Sequence, residues 1–169
     1  LFVINFRGDL QASAVQSLRE IVTAILLVAT AQDEVFVKVE SGGGTVAGYG
    51  LAAAQLQRLR AAGLKLTVSI DKIAASGGYL MACVADHIIA APFAIIGSIG
   101  VLFQLPNFQR FLAKHNIDFE QITAGNYKRT LTMFGVNTAE GRDKMRAELE
   151  AVHQQFQALI TEFRPQVDL

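Results

Sequence analysis

The sequence contains a single cysteine, Cys83, which excludes an intrachain disulfide and leaves the redox compartment open. It also lacks any apolar run of the roughly 18–20 residues that a membrane-spanning helix needs. The longest candidate, residues 24–31, reads instead as the end of an amphipathic helix. Charge is scarce: Asp, Glu, Lys and Arg make up 18% of the chain, below the usual figure of about a quarter. The two signs balance at 15 residues each, without a polybasic run or basic stripe, which argues against nucleic acid as a partner. Neither a linker nor a low-complexity tract interrupts the chain.

What is present is apolar: 51% of 169 residues are hydrophobic, enough for one domain with a sizeable core. The surplus points to a subunit interface or a membrane-proximal setting. The chain opens at Leu1, directly in a strand-like run and without an initiator methionine. The expectation is therefore a single core domain, residues 1–169, taken from a longer protein that carries a signal or anchor segment.

Hydrophobic periodicity divides the chain into alternating strands and helices. Residues 1–6 and 34–40 read as strands, and 64–70 as a third. Leu10, Ala14, Leu18, Ile21, Ile25 and Val28 recur at three- and four-residue steps, predicting a helix from Leu10 onward. A second helix is predicted over 46–62, ending at Gly63, and a third over 79–85. Residues 87–91 read as extended, and the region of Gly97 as strand or tight turn. Pro106 is placed to start a helix reaching His115, 117–122 reads as a strand and 123–136 as a polar loop. The last helix carries Met145, Leu149, Val152, Phe156, Leu159, Ile160 and Phe163 as one apolar stripe, with Asn137 and Glu140 at its start and Pro165 at its stop. This alternation indicates an α/β domain.

Two clusters carry chemistry. Ser41-Gly42-Gly43-Gly44 lies between a strand and a helix, where glycines let a ligand approach the backbone N–H groups. Gly42, Gly44 and Ala47 fit G-x-G-x-x-A, and Asp71 ends the next strand, so a dinucleotide site is one reading. An oxyanion hole is a second, and a tight strand-to-helix turn without ligand a third. The other cluster, Ala75-Ser76-Gly77-Gly78-Tyr79, places a hydroxyl at a helix start among small residues. It reads either as an N-cap or as a nucleophile, since Ala74-x-Ser76-x-Gly78 approaches the G-x-S-x-G elbow.

A serine nucleophile needs a base. The only histidines are His87, His115 and His153, and none lies in a loop with nearby glycines and acids. A lysine serves as base only when neutral, so its usual pKa of about 10.4 must fall by roughly 2–3 units, as desolvation brings about. Lys128 stands in Gly125-Asn126-Tyr127-Lys128-Arg129, within the long polar loop.

Taken together, Ser41-Gly42-Gly43-Gly44, Ala75-Ser76-Gly77-Gly78-Tyr79, Gly97-Ser98-Ile99-Gly100-Val101 and Thr123-Ala124-Gly125-Asn126-Tyr127-Lys128 resemble the motifs of the signal peptide peptidase A family. The resemblance covers nearly the whole chain, in order and at family spacing. It implies a ClpP/crotonase-type fold, a spiral of repeated β-β-α units. It implies Ser76 as nucleophile, Lys128 as its base, and Ser98 as the hydroxyl that orients the lysine. The amides of Gly43 and Gly77 are implied as the oxyanion hole, with no metal or organic cofactor required. One departure is visible: the family usually has proline where Gly42 stands, so the loop is less rigid when empty.

The resemblance further implies a peptide substrate and a homo-oligomer whose sites lie near subunit interfaces. It also implies attachment to the bacterial inner membrane through a segment outside this sequence, with the domain on the periplasmic side. Two other classes remain: a catalytically silent relative acting as a membrane-associated binding or assembly module, and a crotonase-like enzyme acting on an acyl-CoA. For the latter, no carboxylate pair stands in the expected glycine-loop settings.

Overall fold

Alternation of buried and exposed side chains along three strands explains the main sheet. In the computed structural model, which describes residues 1–125 and 128–168, β1 (Phe2–Arg7), β2 (Glu34–Glu40) and β3 (Lys65–Ile70) turn Ile4 and Phe6, Val35, Val37 and Val39, and Leu66, Val68 and Ile70 to one buried face. The crossover helices α1 (Val15–Val28) and α2 (Val46–Ala61) contribute Leu18, Val22 and Ile25, and Ala52, Ala53, Leu56 and Leu59, to the same core. Each Val, Leu, Ile or Phe so buried stabilises the fold by about 1.5–3 kcal/mol relative to exposure, and the alanines by less.

Three short strands and three further helices complete the order: β4 (Ile73–Ala75), α3 (Gly77–Cys83), β5 (His87–Ala90), β6 (Ile95–Gly97), α4 (Gln109–Lys114) and α5 (Ala139–Phe163). The main sheet is parallel throughout, in the order β1-β2-β3-β5, and β4 pairs with β6 in a second parallel sheet. Ser41, just past β2, forms a parallel bridge to Ala74 in β4. Two successive turns repeat one plan: β2 and β3 enter the main sheet, Ser41 and β4 pair in the smaller one, and α2 and α3 follow.

Packing separates two compact units: residues 1–100 together with the chain from Phe156 onward, and residues 101–155. Within the first, Phe156 and Ile160 are buried in the core, and the Arg60 guanidinium lies 5.1 Å from the centre of the Phe163 ring. Within the second, Phe134 stacks on Phe108 and tilts against Phe119, and Asn107 donates to the carbonyls of Thr132 and Gly135. Among the described residues, no helix is long and apolar enough to cross a membrane.

Several boundaries differ from those read in the sequence. The first helix begins at Val15 rather than Leu10. The Asp9 carboxylate holds the Ser13 amide and hydroxyl, and Ala12 takes a positive φ of 54°, so the chain turns before it coils. Residues 117–122 are irregular; among the described residues no strand pairs with them, and an isolated run has no ladder to satisfy its backbone. The helix predicted from Pro106 starts at Gln109. For α5 the cap is Thr138, whose hydroxyl accepts the Gly141 N–H at 3.0 Å, while Asn137 instead accepts from the Thr132 amide.

Candidate functional site

Ser76 stands on the sharp turn between β4 and α3, with φ 51° and ψ −120°. A non-glycine residue with positive φ is held there by its surroundings, at a cost of about 1–3 kcal/mol. The restraint is visible on both sides. The Ala75 amide donates to the Ser41 carbonyl at 3.0 Å, and the Ser76 amide to the Gly97 carbonyl at 2.7 Å, which ties the turn to both neighbours of β4. The Ser76 side chain makes no capping hydrogen bond to α3, so the N-cap reading of this serine does not hold. Its residue is half-buried and its hydroxyl is not spent on the helix.

The glycine loop closes over this serine. Gly43 has φ 89°, and a Cβ placed on it would lie 2.7 Å from Ser76 Cβ and 2.8 Å from the Gly77 nitrogen. Only glycine meets both the dihedral and the approach. Gly77 opens α3, so its N–H has no acceptor within that helix. A side chain at Gly77 would run into the Tyr49 ring. Ser98, with φ 57°, follows the Gly97 whose carbonyl receives the Ser76 amide, and is exposed. A strained, accessible hydroxyl beside the Gly77 N–H at a helix start is suited to acyl transfer, whereas the Gly43 N–H is held by Ser41 Oγ.

Beneath the loop lies a buried chain of hydroxyls that the sequence did not reveal. The Gly43 amide donates to Ser41 Oγ at 3.0 Å, Ser41 Oγ and Tyr49 Oη are 2.6 Å apart, and Tyr49 Oη donates to the Asp9 carbonyl at 2.8 Å. Ser41 is 2% exposed and Tyr49 fully buried. Burial pushes the Tyr49 phenol above its usual pKa, outweighing the opposing effect of the Ser41 hydrogen bond. The Phe6 ring packs edge-on against Tyr49, with centroids 6.4 Å apart.

Comparisons with known proteins place the chain in a family. A model described as peptidase family S49 matches residues 58–168, and one described as peptidase family S49 N-terminal matches residues 1–56. The chain belongs to peptidase family S49. It falls with the SppA/SohB members that the sequence motifs resemble, and its parallel two-sheet spiral is the ClpP/crotonase-type fold of that family. Three of the similar curated proteins are each named "Probable protease SohB". That of Buchnera aphidicola subsp. Acyrthosiphon pisum is 60% identical over 169 residues, all of this chain and 50% of that protein. That of Buchnera aphidicola subsp. Schlechtendalia chinensis is 54% identical over 169 residues, all of this chain and 55% of its own length. The Haemophilus influenzae protein is 52% identical over 169 residues, all of this chain and 48% of its own. The S49 chain described here thus spans about half the length of the curated relatives it matches.

Ser76, Gly77, Gly43 and Gly97-Ser98 are brought together in the first unit of this S49 chain. Lys128 belongs to the second unit and is exposed; its motif neighbours Asn126 and Tyr127 lie outside the described residues. His87 begins β5, paired with Thr67 of β3, away from the strand end that leads on to the Ser76 turn. His115 tilts against Phe111 at the end of α4, and His153 sits within α5.

The dinucleotide reading finds no cradle. A Cβ at Gly44 would collide with the Leu10 carbonyl, and the space above Gly43 is taken by Ser76 and Ala75. Asp71 is engaged by Lys38 at 2.5 Å. Cys83 is buried, and burial pushes its thiol up to about 12, far from a nucleophilic thiolate. Among the described residues, no group of three His, Cys, Asp or Glu side chains is arranged to hold a metal ion.

Proposed function

We propose that this chain is the core of a serine endopeptidase that cleaves hydrophobic peptides, such as remnant signal peptides, with Ser76 as nucleophile and Lys128 as base. The observation that carries the reading is the strained Ser76 turn, with an uncommitted hydroxyl and Gly43 packed against it. Lys128 takes the proton from Ser76 Oγ as that oxygen attacks the scissile carbonyl. The amides of Gly43 and Gly77 donate to the oxygen that becomes negative. On collapse the C–N bond breaks, Lys128 returns its proton to the leaving amine, and an acyl-enzyme ester remains on Ser76. Water, deprotonated by the same lysine, then releases the acid and frees the serine. Ser98 orients the lysine. The reaction calls for no metal or organic cofactor.

In the full protein this core works as a homo-oligomer, held at the bacterial inner membrane by sequence outside this chain and facing the periplasm. The exposed apolar side chains Phe93, Ile95, Leu102 and Phe103 are consistent with an apolar substrate or a subunit contact. The test is hydrolysis of a fluorogenic hydrophobic peptide by the full-length protein beside its Ser76→Ala and Lys128→Ala variants. Each substitution is expected to lower kcat at least about a thousandfold while leaving the fold intact. Full activity in either variant removes the dyad. A folded, assembled parent without activity points instead to a silent binding module.

A further inference from the structure

The hydroxyls of Ser41 and Tyr49 have no part in that reaction, yet they form the only described contact that holds the Gly43 N–H. Their hydrogen bonds run one way. Tyr49 Oη–H is committed to the Asp9 carbonyl, so the 2.6 Å contact must be Ser41 Oγ–H donating to Tyr49 Oη. That leaves the lone pairs of Ser41 Oγ to accept from Gly43. Each hydroxyl has its donor role fixed by the next group, and the starting point is a backbone carbonyl on another segment. A fully satisfied buried chain of this kind admits one arrangement, which rigidifies what it holds.

The same two residues border the other half of the site. The Tyr49 ring fills the space beside Gly77, and the Ser41 carbonyl fills that beside Gly78, so both loops around Ser76 rest on one support. The loop itself supplies little stiffness, since Gly42, Gly43 and Gly44 follow in succession and a Cβ at Gly42 would meet nothing nearer than 3.9 Å.

We propose that Ser41 and Tyr49 are positioning residues, whose hydroxyl chain from the Asp9 carbonyl fixes the Gly43 amide so that it can serve the oxyanion on Ser76. In the empty site the amide rests on Ser41 Oγ. A developing negative oxygen is the stronger acceptor, because hydrogen bonds to ionised groups are roughly twice as strong as those between neutral ones. The Gly43 N–H is then shared between Ser41 Oγ and the oxyanion, so the hydroxyl chain still holds the amide as the charge develops. The proposal rests on Ser76 being the nucleophile.

The test is labelling of Ser76 by a fluorophosphonate in the full-length protein, followed by mass spectrometry of the modified peptide. In that step the Ser76 Oγ–P bond forms, fluoride leaves, and Lys128 takes the proton. The maximal labelling rate and the half-saturating probe concentration are measured for the parent, Ser41→Ala, Tyr49→Phe and the double variant. Neither change adds volume, and Tyr49→Phe keeps the ring against Gly77 and Phe6; thermal melting verifies that each protein folds.

The expected result is a maximal rate roughly 10-fold lower in Ser41→Ala and several-fold lower in Tyr49→Phe, a fraction of the effect of deleting an oxyanion donor outright. The half-saturating concentration should stay within about twofold in all three, since an oxyanion donor acts on the transition state more than on the bound probe. The double variant should be no slower than Ser41→Ala, because one chain is cut once. Folded variants that label at the parent rate, or single effects that multiply, overturn the positioning role and leave the nucleophile standing. A folded, assembled parent that is not labelled at all overturns both.

Discussion

Gly43 shows how little latitude the site allows a single residue. An added Cβ would lie 2.7 Å from Ser76 Cβ and 2.9 Å from the Ala75 carbonyl, on a backbone whose φ of 89° already disfavours any side chain. Gly43→Ala should therefore give a folded protein in which Ser76 reacts with a fluorophosphonate at least about 100-fold more slowly. Gly50→Ala serves as control, since its Cβ would meet nothing within 4 Å. Parent-like labelling of Gly43→Ala would remove the glycine loop from the chemistry. Such residues stood out in the sequence because glycine clusters and a serine among small neighbours are local signals. Ser41 and Tyr49 did not. In the sequence Ser41 is only the first residue of the glycine cluster and Tyr49 one position of a helix, because the bond between their hydroxyls depends on how β2 and α2 fold back on the Asp9 turn.

At the scale of elements, the sequence was most informative where a period ran long and least where a strand was short. The run 34–40 alternates cleanly and forms β2 over the same residues. By contrast β4 and β6 have three residues each, too few for a period to register, although they carry the turn that presents Ser76. Residues 117–122 gave the opposite error, an apolar alternation without a partner strand. In α5 the single stripe read from the sequence divides. Phe156 and Ile160 are buried in the core of the first unit, whereas Met145, Leu149 and Val152 are half-buried residues of the second. Ile160→Ala is expected to cost about 2–5 kcal/mol, and Met145→Ala clearly less. Urea denaturation of the two variants checks this, and equal losses would contradict the burial pattern.

At the scale of the whole molecule, the α/β class followed from the alternation of elements, but the two-sheet spiral did not. Periodicity shows which residues are strand, not which strands are neighbours; it was the resemblance of the motifs, taken together, that implied the ClpP/crotonase-type architecture. Order along the chain becomes arrangement in space through the parallel pairings. Ser41 follows β2, Ser76 follows β4 and Ser98 follows β6, so the residues around the nucleophile come from corresponding ends of successive turns.

That arrangement has a consequence in time. Parallel strands cannot close by a hairpin. Val35 meets Leu66, and Thr67 meets His87, only after an intervening helix has been looped out, and each closure is paid in entropy before its contacts form. Local helices form within about a microsecond and need no such closure. On dilution from denaturant, the helical circular-dichroism signal should therefore recover first, with fluorophosphonate capture of Ser76 lagging behind it. Simultaneous recovery would mean that the scaffold and its reactive turn assemble in one step. A lag would mean that refolding passes through a state in which helices have formed and Ser76 is not yet reactive.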